Sequence, residues 1–210
     1  MGRRFAGILV GILFCSFAAP AFAAWQKPEF KVTQEYRYDM RHEGHELYIS
    51  RFACGFNYGE KDGRRISIIP FFELRRNVDR SFTERKELGI EAGVHLTPWF
   101  YVAESFQATW LKEDYGVNYS HTKKRDAAEA ETRLVAMHKL CSIKNIDIKG
   151  FILDEFTYDF DIGASTRNEF AFGVLVPLHK NIETKLNWRH IDRIHDFDSD
   201  VMEAAVTVVF

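Results

Sequence analysis

The last nine residues constrain this chain more than any other segment. Met202, Ala204, Val206, Val208 and Phe210 form one apolar row, and Glu203, Ala205 and Thr207 lie on the other side. Successive strand residues point to opposite faces, so this alternation describes a strand with one apolar face. A helix would spread the same residues around its circumference. A closing strand that ends on an aromatic residue predicts an outer-membrane β-barrel, with Phe210 as the signal read by the barrel-assembly machinery.

The other end agrees. Arg3 and Arg4 form a short basic region, Phe5 to Phe17 is apolar and uncharged, and Ala21-Phe22-Ala23 supplies the small residues that a signal peptidase reads. This predicts an export signal over residues 1–23, cleaved before Ala24, and one barrel domain over 24–210. The apolar run is short for a spanning helix. Phe14 stands before Cys15 where lipoprotein processing needs a small residue. Without residues 1–23 the chain keeps 26 Lys and Arg against 30 Asp and Glu, so no basic excess points to nucleic acid. Cys54 and Cys141 remain. An oxidising compartment permits a bridge between them, but the strands that carry them are not neighbours in a simple meander.

Between the ends the chain reads as strands throughout. Phe30, Val32, Tyr36, Tyr38 and Met40 alternate with Lys31, Thr33, Glu35, Arg37 and Asp39. Eleven residues at period two is the length of a tilted membrane strand. Nine further segments are predicted near 46–57, 65–75, 85–96, 100–111, 130–141, 146–156, 167–178, 182–191 and 201–210. The second is ambiguous, because Tyr48, Phe52 and Phe56 compete with Leu47, Ile49 and Ala53, and Glu104 disturbs the fifth. The fold expected is all-β: a single antiparallel up-and-down transmembrane barrel of about ten strands, with eight or twelve as alternatives.

Loop length supplies an independent signal. With a periplasmic N-terminus, odd-numbered connections face outward and should be the longer ones. The third (76–84), fifth (112–129), seventh (157–166) and ninth (192–200) fit, as do tight even turns at 97–99, 142–145 and 179–181, whereas the first (41–45) and second (58–64) are exceptions. Trp99, Phe100 and Tyr101 fall at a periplasmic turn, and Trp110 and Trp188 near outer strand ends, as interfacial girdles require.

A cation at the lipid midplane costs about 2–4 kcal/mol, so in a bilayer the charged faces must turn inward. The lumen-lining charges predicted are Glu35, Arg37, Glu87, Glu91, Glu131, Arg133, Glu155, Arg167, Glu169, Glu183, Lys185 and Arg189, together with Lys31, Glu73, Lys139, Asp147 and Lys149. Both signs mix, and ten strands enclose little more than side chains. Two readings stay open: a salt-bridged interior, or a narrow selective channel.

Other candidates are weaker. His42 and His45 are three apart in the first outer loop, without a third ligand. His190 and His195 flank the last. Asp196, Asp198 and Asp200 begin like a calcium loop, but Val201 stands at the glycine position and no Glu closes it. No Gly-x-Ser-x-Gly elbow is present, nor a His-x-Ser-Asn strand motif of the deacylase kind, and the strands read as too short for a barrel protease. No catalytic residue, metal site or cofactor is assigned.

Leu153-Asp154-Glu155-Phe156, followed by Arg167-Asn168-Glu169-Phe170-Ala171-Phe172-Gly173, a periplasmic turn, a ninth strand and terminal Phe210, resembles a family of small Gram-negative outer-membrane barrels designated domain of unknown function 2490. The resemblance covers the C-terminal third by motif and the rest by pattern. It implies an outer-membrane barrel and carries over no activity. The chain is also similar to small oligosaccharide-specific porins, which have basic lumens. The function expected is therefore a structural or narrow-channel barrel with outer-membrane lipid and lipopolysaccharide around it. A membrane enzyme acting on lipid or envelope polymer, and a soluble periplasmic ligand-binding barrel, are the alternatives.

Overall fold

The computed structural model describes residues 25–41, 46–59, 65–78, 82–114, 123–144, 146–193 and 198–210. Ten strands run in order: β1 (Glu29–Asp39), β2 (Glu46–Gly59), β3 (Arg65–Asn77), β4 (Phe82–Thr97), β5 (Phe100–Asp114), β6 (Lys123–Ile143), β7 (Ile146–Asp159), β8 (Ala164–His179), β9 (Ile182–Arg193) and β10 (Ser199–Val209). Each pairs antiparallel with its sequence neighbours, and β1 pairs with β10, so the sheet closes as an up-and-down barrel. Closure leaves no free sheet edge. The Phe210 amide extends the seam by donating to the Phe30 carbonyl at 2.9 Å. The expected export signal over 1–23 lies outside the described residues, as do His42, His45, His195 and Asp196.

Pairing settles the faces. Glu35 pairs with Ile49, and Ile49 with Arg75, so Leu47, Ile49, Arg51 and Ala53 point inward from β2 while Tyr48, Phe52, Cys54 and Phe56 point outward. Glu87 pairs with Thr109, which turns Ser105, Gln107 and Thr109 inward and Glu104 outward. Tyr101 also turns inward, instead of joining Trp99 and Phe100 in a girdle.

The strands are longer than the alternation suggested. Polar residues at their outer ends hid the extra length from a search for apolar rows. The fifth connection was expected over 112–129, but β5 reaches Asp114 and β6 begins at Lys123. The seventh, expected over 157–166, shrinks to the turn 160–163, where Gly163 takes a φ of 68°. The 21-residue β6 also corrects the expectation of uniformly short strands. Cys54 and Cys141 are free thiols on β2 and β6, four strands apart in the sheet order.

Polarity is inverted relative to a water-soluble domain. Glu203 is 0% exposed and Phe172 is 51% exposed. Leu88, Ile90, Phe106, Ile152, Phe170 and Leu186 are exposed on the outer wall, whereas Glu35, Arg37, Glu73, Glu87, Glu91, Glu155, Glu169 and Arg189 are buried within it.

Candidate functional site

The interior is the largest polar constellation among the described residues. Inward residues two apart on one strand form the first set of pairs. Arg75 Nε donates to Glu73 Oε1 at 2.8 Å, Arg167 lies 2.8 Å from Glu169, and Arg37 bonds Glu35. Spacing of two puts both members on one face, so these pairs follow directly from strand period.

The second set joins next-nearest strands. Arg133 Nη1 on β6 donates to Glu91 Oε2 on β4 at 2.6 Å. Arg85 on β4 reaches Glu129 on β6 at 2.6 Å. Arg189 on β9 reaches Glu155 on β7 at 2.6 Å, and Lys185 on β9 lies 3.3 Å from Glu35 on β1. Each of these skips a strand, so it is a chord across the curved wall. Arg75 on β3 acts electrostatically on Glu169 on β8, five strands away and therefore on the opposite wall.

Arg189 and Arg133 each bond three carboxylates. Arg189 bonds Glu155, Glu169 and Glu203, and its side chain is 4% exposed. Glu203 also meets Arg37 at 3.2 Å and Lys185. Arg133 binds Glu155, Glu91 and Glu131, the last at 3.0 Å. Arg167 lies 3.6 Å from Glu131. Buried charge is costly unless paired and hydrogen-bonded, and this density of contacts satisfies that demand.

Of the twelve site residues read from sequence, eleven join this network. Glu183 lies apart, within the fields of Lys149, Lys31 and Lys185. Sequence reasoning missed Arg51, Arg75, Arg85, Glu129 and Glu203 as members. Arg51 fell in the ambiguous second segment. It stacks over Phe71 with its guanidinium carbon 4.0 Å from the ring centroid, 3.6 Å from both Glu73 and Glu91. Arg75, Arg85 and Glu129 sit where strands were expected to end. Alternation had already placed Glu203 opposite the apolar row of β10.

Glycines make room for the inward rings. A Cβ at Gly93 would stand 2.0 Å from the Tyr101 hydroxyl, and one at Gly89 would stand 2.5 Å from the Phe71 ring. Tyr101 crosses Gly93 to donate to Glu91 Oε1 at 2.9 Å.

The outer wall carries polar pairs, among them Ser50 donating to Gln34 at 2.8 Å. Glu104 points outward from β5 and accepts a 2.7 Å hydrogen bond from Thr132 on β6. Asp154 points outward from β7, opposite Leu134 and Phe170. An outward hollow of about 330 Å³ lies between Tyr36, Tyr48 and Leu186 above Ala204, and its outer lining is chiefly apolar.

No family model matches the chain, and no curated protein matches it. Among solved structures, it is similar to a KdgM porin at 11% identity, covering 87% of this chain and 99% of that one, with a TM-score of 0.45. A NanC porin shows 9% identity over 85% and 98% of the two chains at a TM-score of 0.40. The translocator domain of the autotransporter NalP from Neisseria meningitidis shows 8% identity over 98% and 95% at 0.34.

Proposed function

We propose that this chain is an integral outer-membrane barrel, exported by a signal within residues 1–23, whose bore is closed by its own ion pairs. It acts as a structural barrel that holds its outer connections at the cell surface, not as a diffusion pore. The observation that carries this reading is the inverted wall: exposed Leu88, Phe172 and Leu186 outside, buried Glu203 and Arg189 inside.

A bilayer is the solvent that rewards this arrangement. A contiguous apolar wall far exceeds the few hundred Å² that soluble monomers expose. Closure also pairs every strand edge, as hydrocarbon demands. The soluble ligand-binding alternative calls for an apolar interior, and the interior here is a field of carboxylates and guanidinium groups. Among the described residues, no group of three or more His, Cys, Asp or Glu side chains is placed to hold a metal ion. Phe210, paired at the seam, is then the assembly signal.

A closed bore is supported by ion pairs such as Arg133–Glu91 and Arg189–Glu155, which reach inward between next-nearest strands. The test is single-channel recording of the purified barrel in a planar bilayer. The expected trace has no discrete steps. Regular ion-conducting steps would replace this reading with that of a narrow channel. Release of the native protein from membranes by carbonate washing would remove the membrane assignment altogether.

A further inference from the structure

We propose that the outward face of β3 and β4 binds the phosphate of an outer-leaflet glycolipid through Arg76 and Lys86, an assignment that rests on the membrane reading above. Every outward residue of β3 from Ile66 to Leu74 is apolar, and the next outward residue is Arg76. On β4 every outward residue from Leu88 to Leu96 is apolar, and the one before is Lys86. Both cations therefore cap an apolar column at the same end of the barrel, the end of the odd-numbered connections.

Height follows from strand geometry. Each column spans eight residue steps, which at a rise of ~3.3 Å and a tilt of ~40° is about 20 Å along the axis. That approaches the apolar band of about 25 Å in such barrels, so the two charges stand at the hydrocarbon boundary. Aromatic residues mark the same boundary. Tyr48 pairs with Arg76 across β2–β3, and Lys86 pairs with Trp110 across β4–β5.

The two cations are close. Lys86 pairs with Leu74, and Arg76 pairs with Thr83 beyond a register shift, so the two cations stand on adjacent strands at the same end of the sheet. Both are exposed, and neither is in an ion pair with an acidic residue among the described residues. Elsewhere on the same rim the arrangement differs: Arg41 is paired with Asp200, which also meets His190 Nδ1 at 2.9 Å.

This chemistry fits a phosphate monoester attached to acyl chains. The Arg76 guanidinium offers a planar fork to two phosphate oxygens, and Lys86 adds a point charge. The apolar columns beneath give the acyl chains a surface, which a free anion would not use.

The test uses the purified barrel in detergent and native mass spectrometry, with diphosphoryl lipid A as the probe. Phosphatase-treated lipid A and inorganic phosphate serve as comparators. Two cations near a charged lipid surface contribute about a thirtyfold difference in affinity, so R76Q/K86Q should retain diphosphoryl lipid A about thirtyfold less well than the native barrel. Wild type should prefer the phosphorylated lipid by a similar factor, and millimolar inorganic phosphate should compete poorly. Equal retention of both lipids, or by both proteins, would overturn the proposal. Full competition by inorganic phosphate would also overturn it, in favour of a free-anion site. Heat-modifiable migration of both proteins after insertion into vesicles separates this failure from failure of the membrane reading, because a chain that never inserts overturns both.

Discussion

Replacing Arg189 with Met asks how much of the barrel's stability depends on its internal charges. The change removes the guanidinium and keeps most of the stem. Three charge-assisted contacts are lost: to Glu155 at 2.6 Å, to Glu169, and to Glu203 at 3.0 Å. At about 1.5–3 kcal/mol each, they would sum to roughly 5–9 kcal/mol without compensation. Compensation is present. Glu155 keeps Arg133, Glu169 keeps Arg167, and Glu203 keeps Arg37 and Lys185. The net cost should therefore fall to about 3–5 kcal/mol, the range for removing one partner of a buried ion pair. Arg167 supplies the internal comparison. It is 13% exposed and has one close partner, Glu169 at 2.8 Å, so R167M should cost about 1–2 kcal/mol. Urea unfolding in phosphatidylcholine vesicles, followed by tryptophan fluorescence, measures both. The double variant R189M/E203Q should be no more stable than R189M, because Glu203 still pairs with Arg37 and Lys185 and its neutralisation weakens both contacts. If R189M unfolds at the same urea concentration as R167M, connectivity does not set the cost and the argument fails.

Further outcomes follow from the two faces of the wall. Leu186→Arg places a cation on the outer wall and should destabilise the vesicle-inserted barrel by about 2–4 kcal/mol, falling with distance from the midplane. A change near zero in the same unfolding assay would mean that this face does not meet hydrocarbon. Glu104→Leu should leave stability unchanged or raise it by about 1 kcal/mol, since it removes an outward carboxylate that, among the described residues, is held by Thr132 alone. A loss above ~1 kcal/mol would show that Glu104 has a protein partner in the membrane. Gly173→Ala should cost about 1–3 kcal/mol, because its Cβ would stand 2.3 Å from the Leu186 carbonyl oxygen and 2.4 Å from the Asn187 Cβ. Unfolding at the native midpoint would show that the β8–β9 pair can move apart freely.

Strand period made much of this molecule legible in advance. Phe30 to Met40 and Met202 to Phe210 carry two faces of opposite polarity, and a period of exactly two leaves no choice about which side chains share a face. Even the short-range pairs Glu35–Arg37, Glu73–Arg75 and Arg167–Glu169 are written into that spacing. What the sequence could not supply is register. Tyr48 and Ile49 are equally apolar, so only pairing with Glu35 and Arg75 turned Arg51 inward. Contacts such as Arg133–Glu91 and Arg85–Glu129 join strands that are not adjacent, and exist because the curvature of the closed sheet brings next-nearest strands within reach of a guanidinium. Composition along one strand fixes its two faces, whereas the shape of the bore depends on how all ten strands are staggered against one another.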